Sequence, residues 1–351
     1  MKRILILYTE LAGYTIACIE ALVAKGNTDL LLLKYPVNSE APFRFKFPDS
    51  VRVIDRQLLN DAQLNAMVSE FDPQIILCSG WNDKGYMRIC KEWRSKGVPV
   101  VLAMDNKWKG TLKQHVARFV APFSIHRAFS HCWVPGQQQK HFAKKLGFSE
   151  ERIATGFYAC DYKKYAAVYA DSDIHKGNTF PKQFIYAGRY YDFKGLHTLW
   201  EAFISFKKQT GNDWKLICVG TGDIEPVVHP DIEHRGFLQP DEMAGLMKEG
   251  GVFILPSLVE PWGVVVQEYA AAGFPLILST AVGSGESFLL EGVNGFYFAT
   301  GNSTDLQLKM KAVASLMDEN LRMMSSKSHE RAKKITPETW SETLISFIKT
   351  K

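Results

Sequence analysis

The chain has 351 residues, 46% of them hydrophobic and 23% charged, a balance that excludes a disordered or low-complexity protein. Its net charge of +5 is modest and no nucleic-acid recognition motif accompanies it, which argues against a nucleic-acid binder. Nor does any apolar run reach the roughly 18–20 residues that span a bilayer.

The first apolar run breaks after Leu7 and Tyr8, too early for the core of an export signal. The six cysteines form no CxxC, so reduced, buried thiols in a cytoplasmic protein are expected rather than zinc ligands or disulfides. Residues 1–165 hold 24 Lys and Arg against 15 Asp and Glu, and the remainder holds 18 against 22. A basic half suits phosphates, an anionic acceptor or membrane headgroups at the inner face of a membrane, and equally a solvated surface.

Short, continuous apolar runs recur in chain order at 3–8, 29–34, 51–54, 74–78, 98–103 and 132–134, then again at 183–187, 215–219, 252–255 and 275–278. Unbroken rather than alternating hydrophobicity predicts strands covered on both faces, the mark of parallel α/β sheets with helices between. The restart after a polar, tyrosine- and lysine-rich stretch at 159–178, taken as a linker, predicts two Rossmann-like doubly wound domains at 1–165 and 166–335. A final helix over 336–351 carries Trp340, Leu344, Ile345 and Phe347 at helical spacing. Ligands of such sheets bind beyond the carboxyl ends of the strands, so a site in a cleft between domains is expected.

Candidate site residues follow the strand ends. Gly13 lies where the first strand turns into a helix, as a place for a phosphate to approach backbone or as a plain turn; the sequence is not the GxGxxG of a nicotinamide site. Trp81 can stack on a sugar or fill a wall. Basic and aromatic residues alternate at Lys107, Trp108, Lys109, Lys113, Arg118, Phe119 and Phe123, either a helix on an anionic membrane or one packed on the core. Arg189 and Lys194, around a strand-to-helix turn, can grip phosphate oxygens or face solvent. Gly220 ends a glycine-rich strand, and the backbone near Leu238 offers hydrogen bonds to a nucleobase edge. Glu260 and Glu268 stand eight positions apart with Pro261 and Trp262 between them, Trp262 as a candidate donor contact; Glu260-Pro261 precedes the next helix, near whose start proline is favoured. The amides of Gly263, Val264 and Val265 then point at an anion from the helix N-terminus. Two carboxylates beside an amide-held diphosphate suit the hydroxyls of a nucleotide sugar.

The segment from Glu260 to Pro275, with Gly188-Arg189, Lys194-Gly195, Val282-Gly283 and Asn294-Gly295, resembles the EX7E signature of the retaining family 4 glycosyltransferases of the GT-B fold. The resemblance is close over residues 183–300 and architectural before them. It implies a metal-independent, retaining hexosyl transfer from a nucleotide diphosphate sugar, a UDP- or GDP-sugar, to a sugar, lipid-linked or small-molecule acceptor. Surface polysaccharide or glycolipid synthesis is the implied setting, with no bound cofactor. It assigns the diphosphate to Arg189 and Lys194, the ribose to Glu268, the sugar hydroxyls to Glu260 and the base to the backbone near Leu238. Many relatives carry a His-Asp pair in the first domain where this chain has Ala103-Met104-Asp105-Asn106; Asp105 is left as a substrate contact or a helix cap. A nucleotide-sugar epimerase and a non-catalytic sugar-binding module are the alternatives.

Overall fold

Every strand pairing in the structure is parallel, and the strands form two separate sheets. The computed structural model describes residues 1–36, 43, 45–176 and 179–348. It divides into one unit of Met1–Ala159 with the chain from Ile335 onward, and a second of Cys160–Lys334.

In the first unit β1 (Lys2–Tyr8), β2 (Thr28–Lys34), β3 (Val51–Asp55), β4 (Ile75–Ser79), β5 (Val100–Ala103), β6 (His131–Trp133) and β7 (Ile153–Ala154) lie in the order β3-β2-β1-β4-β5-β6-β7. The unbroken apolar runs have a direct cause. Successive side chains of a strand point to opposite faces, so Leu5, Leu7, Leu31 and Leu33 enter one core while Ile4, Ile6, Leu30 and Leu32 enter another. The second core is closed by the helix Gly13–Ala24 and by the last described helix, Pro337–Ser346. Thr336 caps that last helix reciprocally with Thr339, and Trp340 packs 5.0 Å, ring centre to ring centre, from Trp133. All six cysteines are buried and none is in a disulfide.

The second sheet comprises β8 (Gln183–Ala187), β9 (Lys215–Val219), β10 (Ile232–His234), β11 (Val252–Leu255), β12 (Leu276–Ser279) and β13 (Gly295–Phe298), in the order β10-β9-β8-β11-β12-β13. Three strands lack the expected apolar run: β7, β10 and β13. Each is an edge of its sheet, short and covered on fewer sides, and each leaves at least one residue partly or fully accessible.

The stretch read as a linker is largely helical instead. Tyr162–Ala170 and Asp173–Lys176 are helices of the second unit, and Tyr165, Val168 and Ile174 are buried. Tyr169 stacks on His329 at 4.2 Å, and the Tyr162 hydroxyl meets His329 Nε2 at 3.0 Å. Of the expected linker, residues 177 and 178 lie outside the described residues. Buried Gln267 ties down the chain on both sides of the second sheet: its Oε1 accepts from the Cys160 amide at 2.9 Å and its Nε2 donates to the Ala332 carbonyl at 3.0 Å.

Candidate functional site

The strand order of the second sheet runs outward in opposite directions from β8 and β11, and the crevice beyond such a reversal is where α/β sheets bind ligands. The loops leaving these two strands, 188–195 and 256–263, carry most of the candidate residues.

The two loops are clasped together. The Phe193 carbonyl accepts from the Leu258 amide at 2.8 Å and the Val259 amide at 3.2 Å. Gly195 adopts φ 72°, and a Cβ there would lie 2.1 Å from the Pro256 carbonyl oxygen, so both conformation and contact demand glycine. This closeness sets Lys194 opposite Glu260: Nζ donates to Oε2 at 2.6 Å, and both side chains are at most 16% exposed. The Ser257 hydroxyl donates to the same oxygen at 3.2 Å.

Glu260 is fixed from behind as well. It bridges to Val282, its carbonyl accepts from the Gly283 amide at 3.1 Å, and Ser284 binds the Trp262 carbonyl through its amide and the Gly263 carbonyl through its hydroxyl. Trp262 is buried edge-on against Phe288; it is a strut beneath the loop, not a surface open to ligand as expected. Pro261 lies before the helix, as expected. The helix begins only at Val264, with Gly263 as its N-cap at φ 90°, so proline shapes the loop before the helix. A β-carbon at Gly263 would crowd the Glu260 side chain, 3.0 Å from its Cγ. The open first turn directs the amides of Val264 and Val265 out of the helix N-terminus.

Glu268 lies one turn further along. The residue reaches the surface in part, but its carboxyl sits among protein atoms, and burial raises its pKa to about 7 despite a hydrogen bond from Tyr165 and the nearby charge of Lys164. Tyr165, from the helix mistaken for a linker, is the residue that sequence reasoning missed here. Its signal was present as the spacing Tyr162, Tyr165, Tyr169, one face of a helix.

The remaining candidates are placed differently. The Arg189 guanidinium lies 5.3 Å from the centre of the Tyr191 ring, and the Arg189 carbonyl accepts from the Tyr186 hydroxyl at 2.9 Å. Gly220 and Gly222 serve loop packing. A Cβ on Gly220 (φ 133°) would meet the Gly188 carbonyl at 1.9 Å, and one on Gly222 the Tyr190 carbonyl at 2.4 Å. Leu238 is half-buried in the loop after β10, and the carbonyl of nearby Gly236 is taken by the Gly220 amide at 2.8 Å.

In the first unit the order reverses between β1 and β4, and the loops there meet where the Thr9 amide donates to the Ser79 hydroxyl at 2.8 Å. Gly13 opens the first helix, with nothing within 4 Å of where its Cβ would be. Asp105, beyond β5, accepts from the Tyr158 hydroxyl at 3.2 Å. Among the described residues no cluster of three His, Cys, Asp or Glu side chains is arranged to hold a metal ion, and no helix is long and apolar enough to cross a membrane.

The helix N-terminus, the lysine–carboxylate pair and the second carboxylate at the sheet reversal all fall in a stretch that matches a known family. Residues 181–316 match the family Glycosyl transferases group 1. The group 1 domain therefore covers both clasped loops and Glu268. Over 143 residues, 38% of this chain, the sequence is 28% identical to an uncharacterized glycosyltransferase of Methanocaldococcus jannaschii. Over 257 residues, 69% of this chain, it is 22% identical to a lipopolysaccharide 1,2-N-acetylglucosaminetransferase of Salmonella typhimurium. The chain spans 36% and 62% of the length of these two relatives. A structure of Anabaena HepE in complex with UDP and glucose matches with a TM-score of 0.71 over 99% of each chain, at 16% identity. That likeness is one of fold: two parallel-sheet α/β domains, the GT-B fold.

Proposed function

We propose that the chain is a retaining glycosyltransferase of the EX7E type, moving a hexosyl group from a nucleotide diphosphate sugar to an acceptor hydroxyl without a metal ion. The observation that carries this reading is the Lys194–Glu260 pair beside the helix N-terminus at Val264, inside the group 1 domain. A UDP-sugar is the favoured donor, since Anabaena HepE, of the same fold, was captured with UDP and glucose. The Salmonella relative acts on lipopolysaccharide by name, which supports a surface-glycan acceptor.

In this reading the amides of Gly263, Val264 and Val265 hold a diphosphate oxygen and Lys194 turns from Glu260 to the phosphate that leaves. Glu260 is then released to accept from the sugar hydroxyls, while Glu268 accepts from the ribose. Arg189, on its flexible side chain, adds a second cation by leaving the Tyr191 ring. The bond from the anomeric carbon to the phosphate oxygen breaks, the acceptor oxygen bonds the same face of that carbon, and the departing diphosphate takes the acceptor proton.

The test is a screen of UDP-, GDP- and ADP-sugars by melting temperature, followed by release of nucleoside diphosphate with candidate acceptors. A donor held at 100 times its Kd adds about 2.7 kcal/mol to stability; the expected result is one class of donor raising the melting temperature and acceptor-dependent release. If no nucleotide sugar shifts the melt, the reading fails; conversion of the donor without an acceptor points to an epimerase.

The pKa of Glu268 sets a pH dependence. Its folded-state pKa, about 7, lies above its ordinary value of 4.5. The protonated side chain therefore favours the fold fully below about pH 4.5, and that contribution disappears as pH rises through 7. Donor binding has the opposite slope, because only the ionised carboxylate accepts two hydroxyls. Affinity for a nucleotide sugar, whose diphosphate has no proton to lose in this range, is expected to rise about tenfold from pH 6 to pH 8. Calorimetric titration checks it. Glu268→Gln should flatten the profile, and Tyr165→Phe, by removing the hydrogen bond that favours the anion, should move it to higher pH.

A further inference from the structure

The helix Leu112–Val120 is built inside out. None of its residues is buried, and with about 100° per residue Leu112, Val116, Phe119 and Val120 fall within an arc of about 100°. That arc faces away from the protein: Leu112 is 81% exposed and Phe119 80%. The opposite side does the anchoring. Gln114 accepts from the Lys109 amide and donates to the Lys107 carbonyl, both at 2.7 Å, and Ala117 touches the core. The turn Ala121–Phe123 extends the apolar ridge with Phe123, 66% exposed. A surface ridge of this kind is anomalous for a solvated helix.

Charge tells what covers it. From Asn106 to Ser149 the chain carries eight Lys and Arg and no Asp or Glu; Lys109, Lys113, Arg118 and Arg127 are exposed, and at about 100° per residue Lys113 borders the ridge next to Val120. A second copy docked face to face would oppose cations with cations. An anionic bilayer complements both the apolar ridge and its basic flanks, the pattern of an interfacial helix.

We propose that Leu112–Phe123 is a membrane-docking element that seats its apolar ridge among the acyl chains of an anionic lipid surface, with Lys109 and Lys113 at the headgroups. The helix lies in the plane of the interface and does not span it. This inference stands on the first unit alone and survives or fails independently of the proposed transfer reaction.

The experiment is sedimentation of the full chain with vesicles of phosphatidylcholine, with and without phosphatidylglycerol, in the absence of any sugar nucleotide. Cosedimentation is expected only with phosphatidylglycerol and should weaken at high salt. Phe119→Ser combined with Phe123→Ser should lower partitioning about tenfold or more at an unchanged melting temperature, and Lys109→Ala with Lys113→Ala should erase the preference for anionic lipid. Leu308→Ser, an exposed apolar residue of the other unit, should leave partitioning as it is. Absence of cosedimentation, or equal partitioning by the phenylalanine variant, overturns the proposal. A dimer in solution that this variant dissolves, without vesicle binding, also overturns it and assigns the ridge to a second copy.

Discussion

Lys194→Ala is expected to lower turnover by about 10²–10³-fold, the range found when one preorganised charge-stabilising donor is removed. Lys194 is a point charge held by one carboxylate, Glu260, at 2.6 Å. On departure of the diphosphate, negative charge grows where that ammonium can reach it, and a truncated side chain leaves the charge to the amides of the helix N-terminus alone. The variant also strands Glu260, which retains only the Ser257 hydroxyl on that oxygen, so a lower melting temperature accompanies the loss. Two further variants separate the effects. Glu260→Gln keeps the shape and removes the stranded charge; Lys194→Ala with Glu260→Gln should recover stability but not turnover. Steady-state kinetics and thermal melts on the same preparations check both. Turnover within threefold of the parent in a folded Lys194→Ala protein would remove lysine from the leaving-group role.

Gly195→Ala is the second large effect, this time on the fold. The left-handed conformation alone costs an alanine about 1 kcal/mol. Gly97 provides the comparison: it also has positive φ, at 85°, but no atom lies within 4 Å of a Cβ there. At Gly195 the added carbon collides with the Pro256 backbone at 2.1 Å, which neither a rotamer change nor a flexible neighbour relieves. Denaturant melts should therefore place Gly97→Ala about 1 kcal/mol below the parent and Gly195→Ala about 3 kcal/mol or more below it. Because the clash pushes apart the two loops that bring Lys194 to Glu260, any folded Gly195→Ala protein should also lose turnover. Equal costs at the two glycines would show that the loops are not clasped.

These consequences explain what the sequence could and could not convey. Interior strands were readable because burial on both faces leaves no room for polar residues, as in Ile4-Leu5-Ile6-Leu7. At the edges that constraint lapses, and Ile232-Glu233-His234 looks like a loop until its neighbour β9 is seen. Lys194 and Glu260 stood out in the sequence as charged residues near turn glycines, and the fold pairs them. Gly220 was legible only as a glycine. Sequence marks it only as a strand-end glycine, and the structure shows the Gly188 carbonyl against its backbone, a matter of loop packing. Tyr165 was lost for a different reason. Tyrosines and lysines between 159 and 178 read as a polar connection, whereas the rings pack inward on His329 and the edge of the Glu268 site while the lysine ends stay outside. Tyrosine and lysine each join an apolar body to a polar tip, and composition alone does not say which part is buried. The exposed ridge from Leu112 to Phe123 reverses that error: its apolar periodicity fits a packing helix, but among the described residues it stays exposed.

The central claim, that the loops after β8 and β11 hold a nucleotide diphosphate, is tested most directly by the crystal structure of the full chain soaked with UDP-sugar. The account predicts diphosphate oxygens at about 3 Å from the amides of Val264 and Val265, with Lys194 turned from Glu260 onto the phosphate and the ribose hydroxyls on Glu268. Nucleotide bound elsewhere, with the Lys194–Glu260 pair still closed, would contradict it.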